Sequence, residues 1–315
     1  MKNPIEFTLE KYSGKKSRFT CPKCNRAGEF TRYVHPETGE RLPPYVGICN
    51  RKDKCGYAYS NGDYIRENPG AHANERITSA LPKPVIPPSF MNWALLSKSM
   101  SHYPENNLYL FLCNLVGMKE AEAILAKYYV GTSKHWAGAS VYWQVDLQSN
   151  VRSGKVMLYN SETGKRQHKK QTWVHAVMGL KGFNLSQCLF GEHLLGLEEN
   201  REKGVAIVES EKTAIIASRF IDSVVWLATG GLELLNPATN PAKFKPLIGR
   251  QVILYPDLSL PNSFNGDTAF KSWTRKAEFL RFMGVKVTVS ELLENVATDE
   301  ERENGFDIAD YLIRK

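Results

Sequence analysis

Apolar and polar positions follow three successive patterns along this chain. Near the start, FTRYV (30–34) and YVGI (45–48) flank the turn residues HPETGE, a pattern that predicts a β-hairpin. Between residues 90 and 130, FMNWALLSKSMSH, NLYLFLCNLVG and KEAEAILAKYYVG carry apolar residues every three or four positions, and glycines end the last two. That spacing predicts three helices. SVYWQVDLQSNVRSGKVMLYN then alternates like two paired strands, and SETGKRQHKK follows as a turn with a basic flank. From residue 203 the rhythm changes again. KGVAIVES, SVVWLATGG, GRQVILYPDL and VKVTVSELL read as strands, with EKTAIIASRF and TAFKSWTRKAEFLRFMG as helices among them. Strands alternating with helices predict a parallel sheet covered on both faces.

These patterns define an α/β multidomain chain. A small domain built on the hairpin is expected over 1–70 and a proline-rich linker over 71–90, where Pro82, Pro84, Pro87 and Pro88 favour extended backbone. A helical, then strand-rich α+β basic domain is expected over 91–200, and a parallel α/β domain over 201–315. The length of 315 residues suits two or three domains.

Composition narrows the setting. Hydrophobic residues make up 42% of the chain, enough for substantial cores, yet no apolar run is long enough to span a membrane. The N-terminal MKNPIEFTLEKYSGKKSRF lacks the apolar segment of a secretory signal, so a cytoplasmic location is expected. The formal net charge is +8. From Arg152 to Lys181, Glu162 is the one acid against seven lysines and arginines, whereas Glu291 to Asp310 is dominated by acids. Such asymmetry fits one surface facing a polyanion and one acidic surface; a basic but solvated face is the alternative.

Four of the six cysteines lie within the first 55 residues. Cys21 and Cys24 have the C-x2-C spacing of a zinc knuckle, and Cys49 and Cys55 form a wider C-x5-C pair. Four thiolates around a hairpin make residues 1–70 a zinc-ribbon domain, with a closed tetrahedral site and no position left for catalysis. The alternative is four reduced thiols without metal. His35 falls in the turn and is expected to be exposed rather than a ligand. Cys113 and Cys188, each in apolar surroundings, are expected to be buried core thiols. Lys15, Lys16, Arg18, Lys23, Arg26, Arg32, Arg51, Lys52 and Lys54 interleave with Tyr33, Tyr45, Tyr57 and Tyr59 around the cysteines. This mixture suits single-stranded nucleic acid, with bases stacked on rings and phosphates met by cations.

In a parallel sheet, ligands bind beyond the carboxyl ends of the strands. Glu209 follows GVAIV and Asp257 follows QVILYP. Two carboxylates there can hold Mg²⁺ or Mn²⁺ together with water and phosphate; capping of the following helices is the plainer role.

The order KGVAIVESEKTAIIAS, WLATGG, VILYPDL, GFDIADYL resembles a Toprim domain, a family found in bacterial primases, topoisomerases and some nucleases. Glu209 matches the family's glutamate and Asp257 the first aspartate of its Asp-x-Asp. With the ribbon ahead of it, the chain is similar to primase-like proteins of bacterial mobile genetic elements. Three positions depart from the pattern. Ser210 stands where glycine is usual, Thr213 where aspartate is common, and Ser259 replaces the second aspartate; Asp267, Asp307 and Asp310 are candidate substitutes.

The resemblance implies Mg-dependent nucleotidyl transfer on a single-stranded DNA template. Glu209 and Asp257 would be catalytic and metal-binding. Arg152, Lys155, Lys165, Arg166, Lys169, Lys170 and Lys212 would meet nucleic acid or an incoming nucleoside triphosphate. A replicative helicase is an implied partner, and no membrane is involved. A weakened Toprim accessory protein of replication or mobilisation and a Toprim nuclease are the alternatives.

Overall fold

The computed structural model describes residues 7–51, 54–68, 87–262 and 266–314. The proline-rich stretch expected as a linker lies outside the described residues up to position 86. The chain forms two compact units, Met1–Pro84 with Pro261–Asp267, and Val85–Leu260 with Thr268–Lys315.

In the first unit, strands β1 (Thr8–Leu9), β2 (Phe30–Val34), β3 (Gly47–Cys49) and β4 (Ala58–Tyr59) pair antiparallel in that order. The hairpin register sets Phe30 opposite Cys49. Helix α1 (Asn61–Glu67) follows, started by a capping box between Ser60 and Asp63. The His35 ring is half-buried instead of exposed. Its Nδ1 accepts from the Glu37 and Thr38 N–H groups, 3.3 and 3.2 Å away, and its face meets the edge of Phe7. The apolar content is small: Phe7, Leu42, Val46 and Tyr64 form one cluster, and Cys21, Phe30 and Cys49 another. Cores of this size seldom hold a fold without a staple.

The second unit begins with helices α2 (Trp93–Ser99), α3 (Asn107–Val116) and α4 (Met118–Lys127). Asn92 and Asn106 start α2 and α3, each accepting backbone N–H bonds with its side-chain oxygen. An antiparallel sheet follows, β5 (Val130–Ser133), β6 (Ala139–Val145), β7 (Val151–Tyr159) and β8 (Arg166–Trp173), in sequence order. Strands β6 and β7 are almost wholly buried, while β8 is an exposed edge. Helix α5 (Val174–Val177) closes this part.

The remainder is a parallel sheet of β9 (Gly204–Val208), β10 (Val224–Ala228), β11 (Gln251–Leu254) and β12 (Lys286–Val289), ordered β10-β9-β11-β12. Helices α6 (Glu211–Phe220), α7 (Ala269–Phe282), α8 (Leu292–Val296), α9 (Asp299–Glu303) and α10 (Ile308–Leu312) accompany it. Burial explains the sequence of β9: GVAIV has no polar alternation because its residues after Gly204 are enclosed.

Segments 91–200 and 201–315 share one hydrophobic core, which runs from Leu108, Leu125 and Tyr128 through Phe190 to Ile207, Trp226 and Trp273. Tyr128 Oη donates to the Trp226 carbonyl at 3.1 Å, and Phe190 exchanges two backbone hydrogen bonds with Ala228 across the outer edge of β10. Cys188 is buried as expected; Cys113 is only partly so. Among the described residues, no helix is long and apolar enough to cross a membrane.

Candidate functional site

The four cysteines converge. Cys21 Sγ lies 3.8 Å from Cys55 Sγ, and Cys24 Sγ lies 4.0 Å from Cys49 Sγ. All four sulfurs are within 4.8 Å of one another. A zinc–sulfur bond of 2.3 Å in a regular tetrahedron requires sulfurs about 3.8 Å apart, so the set fits zinc. Each pair sits on a tight turn. Asn25, at φ 51°, donates its N–H to the Cys21 carbonyl, and the Arg51 carbonyl accepts from Cys55 N. A backbone N–H bond from Arg26 leads the causes that lower the Cys24 thiol to about 7, with its three neighbour thiols adding to the shift. Burial pushes Cys49 up to about 12. Binding a cation reverses that penalty by stabilising the thiolate. Among the described residues, this is the one group of three or more metal-ligating side chains drawn so close.

A second site lies within the larger unit, at the carboxyl ends of its parallel strands. A cleft of about 870 Å³ is lined by the acids Glu209, Asp257, Asp307 and Asp310 and by the basic residues Lys155, Lys165, Arg166 and Lys212, among others. Glu209 leaves β9 directly, and its Oε1 accepts the Asp257 N–H at 3.4 Å. The Ser210 hydroxyl caps α6 by accepting Thr213 N–H, so capping falls to Ser210 and leaves the neighbouring carboxylate free of that task. Asp307 caps α10 and forms a capping box with Asp310.

The electrostatics of this cluster are unfavourable to negative charge. Burial raises Glu209 to about 7, aided by the charges of Asp307 and Glu233 and opposed by the Asp257 N–H and Lys276. Asp257 is pushed far above the usual carboxylate range by burial, then by Glu209, Asp307 and Asp310. Asp307 is raised mainly by burial as well. The Asp257 Oδ1 atom is buried without a hydrogen-bond donor. An oxygen-seeking cation would meet both needs, supplying a partner for that atom and offsetting the repulsion. The carboxylates therefore fit Mg²⁺ or Mn²⁺ held by one or two protein oxygens, with water or phosphate completing the shell.

The positions that depart from the Toprim pattern have other tasks. The Thr213 hydroxyl donates to Asp307 Oδ2. Ser259 Oγ accepts the Ala269 N–H at 2.7 Å, at the start of α7. Asp307 and Asp310 reach the cleft, whereas Asp267 belongs to the other unit.

The seven basic candidates do not form one surface. Lys165 and Arg166 line the acidic cleft, and Lys212 joins them there while donating to the Gly164 carbonyl. Lys169 is exposed on β8; Lys170 is half-exposed on the same strand, with its ammonium over the Trp136 ring. Lys155 also lines that cleft, but with its charge already engaged. It is buried, and its Nζ donates to both Glu211 oxygens at 3.0 and 3.1 Å and to the Gly230 carbonyl at 2.9 Å. Arg152 also has an internal partner: its Nε donates to Asp146 at 2.6 Å, and its guanidinium covers Phe90. Each has a carboxylate partner that charge along a strand does not reveal. Glu211 and Lys276 were missed altogether; each is an ordinary helix residue in the sequence.

Comparison with known proteins gives partial coverage. Residues 5–70 match the zinc beta-ribbon finger family, and residues 106–258 match DUF6371, a domain of unknown function. No curated protein sequence matches the chain. Among solved structures, the primase fragment of the bacteriophage T7 primase-helicase is 17% identical at a TM-score of 0.37, covering 87% of this chain and 88% of its own. The zinc-binding and RNA polymerase domains of Aquifex aeolicus primase are 14% identical at 0.38, covering 98% and 80% respectively. The DnaG primase catalytic domain bound to single-stranded DNA is 10% identical at 0.26, covering 60% and 78%. These scores are too low to carry an argument. The family match and the four converging sulfurs together support zinc in the first unit.

Proposed function

We propose that the chain is a primase-like nucleic-acid-binding protein whose acidic cleft is a Toprim-type divalent-metal site. The observation that carries this reading is the Asp257 Oδ1 atom, buried without a donor beside Glu209, at the carboxyl ends of parallel strands. Glu209 and Asp257 would hold Mg²⁺ or Mn²⁺, which when bound supplies charge neutralisation to a triphosphate. Lys165, Arg166 and Lys212 would bind phosphate oxygens in the same cleft, and exposed Lys169 with half-exposed Lys170 would follow the strand outward. The ribbon, with its lysines, arginines and tyrosines, would hold single-stranded template. The reaction class is nucleotidyl transfer: a primer hydroxyl, losing its proton, attacks the α-phosphorus of a nucleoside triphosphate, the α–β phosphoanhydride bond breaks and pyrophosphate leaves. A replicative helicase partner and a cytoplasmic setting belong to the same reading.

The direct test gives the full-length protein single-stranded DNA, labelled nucleotides and Mg²⁺ or Mn²⁺. Metal-dependent primers that vanish in Glu209→Gln are expected. Cleavage of the template instead would indicate a nuclease.

A second reading has its own support. Thr213 and Ser259 replace carboxylates and are committed to Asp307 and to the start of α7. Among the described residues, the carboxylates form no cluster of three or more placed to hold a metal ion as the four cysteines are. A two-metal mechanism usually draws on more ligands than that. A nucleic-acid-binding accessory protein with weak metal affinity would give tight single-strand binding at low salt with neither product.

A further inference from the structure

Behind the parallel sheet's β10 end, the larger unit has a second cleft, of about 370 Å³. Its walls carry Arg152, Lys243 and Lys245 against one carboxylate, Glu192, with the carboxamide of Gln187 and an apolar side at Leu147. A cleft of this size lies at the lower end of the range that small ligands occupy.

Two groups in it lack a complementary charge or acceptor. Lys243 is buried, and its Nζ donates to two neutral carbonyls, Thr229 O at 2.9 Å and Leu234 O at 3.2 Å. No carboxylate forms an ion pair with it among the described residues. Burial lowers its pKa to about 8, the direction expected of an ammonium deprived of a counter-ion. Gln187 Nε2 is buried with no acceptor. By contrast Glu192 is satisfied: its oxygens accept the Leu147 and Leu189 N–H groups at 3.2 and 3.3 Å. The unmet demand in this cleft is for an acceptor bearing negative charge.

We propose that this rear cleft binds a small phosphate-bearing molecule. Phosphate oxygens would give Lys243 its counter-ion and Gln187 its acceptor, with exposed Lys245 adding positive charge at the wall, where Arg152 is already paired with Asp146. The apolar side at Leu147 suits an organic portion. The cleft is physically joined to the acidic one through the loop after β10. Lys243 holds Thr229 from behind, while Lys155 holds the Gly230 carbonyl from the front, and the Gly230 N–H donates to the Glu209 carbonyl at 2.9 Å. An occupant of the rear cleft would therefore act on the loop that borders Glu209.

Calorimetric titration of the zinc-loaded full chain, in magnesium-free buffer, tests the assignment. The probes are orthophosphate and adenosine monophosphate. The expected result is saturable binding with Kd of about 1 mM or tighter, weakened about tenfold in both Lys245→Glu and Gln187→Leu and unchanged in Lys212→Ala. Binding of both probes assigns the site to phosphate itself; binding of the nucleotide alone requires the organic portion as well. No binding of either probe overturns the proposal, as does binding that survives in either rear-cleft variant. Binding lost in Lys212→Ala would place the ligand in the acidic cleft and overturn the proposal, while leaving the proposed function standing. Lys245 is exposed, so its variant tests the site without disturbing the core.

Discussion

Replacing Lys155 with methionine isolates a buried ion pair of the larger unit. The side chains of Lys155 and Glu211 are 5% and 2% exposed. Lys155→Met removes three hydrogen bonds and leaves both the Glu211 carboxylate and the Gly230 carbonyl without their donor. Removing one partner of a buried pair costs about 3–5 kcal/mol, most of it from the charge left behind. The double variant Lys155→Met, Glu211→Leu removes that stranded charge and should recover about half the loss or more. Urea unfolding followed by tryptophan fluorescence measures both, because all six tryptophans lie in the larger unit and none in the ribbon. A single variant that loses less than about 1 kcal/mol, or a double variant no more stable than the single, would refute the reasoning.

Three further outcomes are expected. Cys49→Ser, or treatment with a strong chelator, should lower zinc from about one per chain towards none and expose residues 7–68 to protease, while the tryptophan signal stays intact. Glu192 has a pKa raised by burial from 4.5 to about 7, so the folded state holds its proton more tightly than the unfolded state. Stability from this group is therefore fully present below about pH 4.5 and declines as pH rises to about 7. Glu192→Gln should flatten that slope relative to the wild type in unfolding measured across the window. Gly230 sits at φ +93°, and a Cβ there would lie 3.3 Å from Glu211 Oε1 and from Leu234 Cδ1; Gly230→Ala should cost about 1–3 kcal/mol, read as a lower thermal midpoint.

Some of this structure was legible in the sequence because local rules governed it. The C-x2-C spacing and the intervening hairpin placed the four thiols, and unbroken runs such as GVAIV marked buried parallel strands. The ends of those strands in turn pointed to Glu209 and Asp257. What escaped depends on pairing between distant residues. Lys155 and Glu211 are 56 positions apart, and nothing near Lys155 distinguishes it from the exposed lysines of β8. Its strand, β7, is interior and buried, whereas β8 is the edge. The same holds for Thr213, which reads as a lost aspartate until Asp307 is seen accepting from its hydroxyl.

The two hydrogen bonds between Phe190 and Ala228 have a consequence for any attempt to dissect the chain. Strand β10 is the outermost of its sheet, and Phe190 and Tyr128 occupy its outward carbonyls at Ala228 and Trp226. A fragment starting at residue 201 would lose both covers and bare a flat row of peptide groups flanked by Trp226 and Leu227. Bare edges of this kind template pairing with other chains. Such a fragment should self-associate into insoluble β-rich material, and Phe190 and Tyr128 are what keep the sheet solitary.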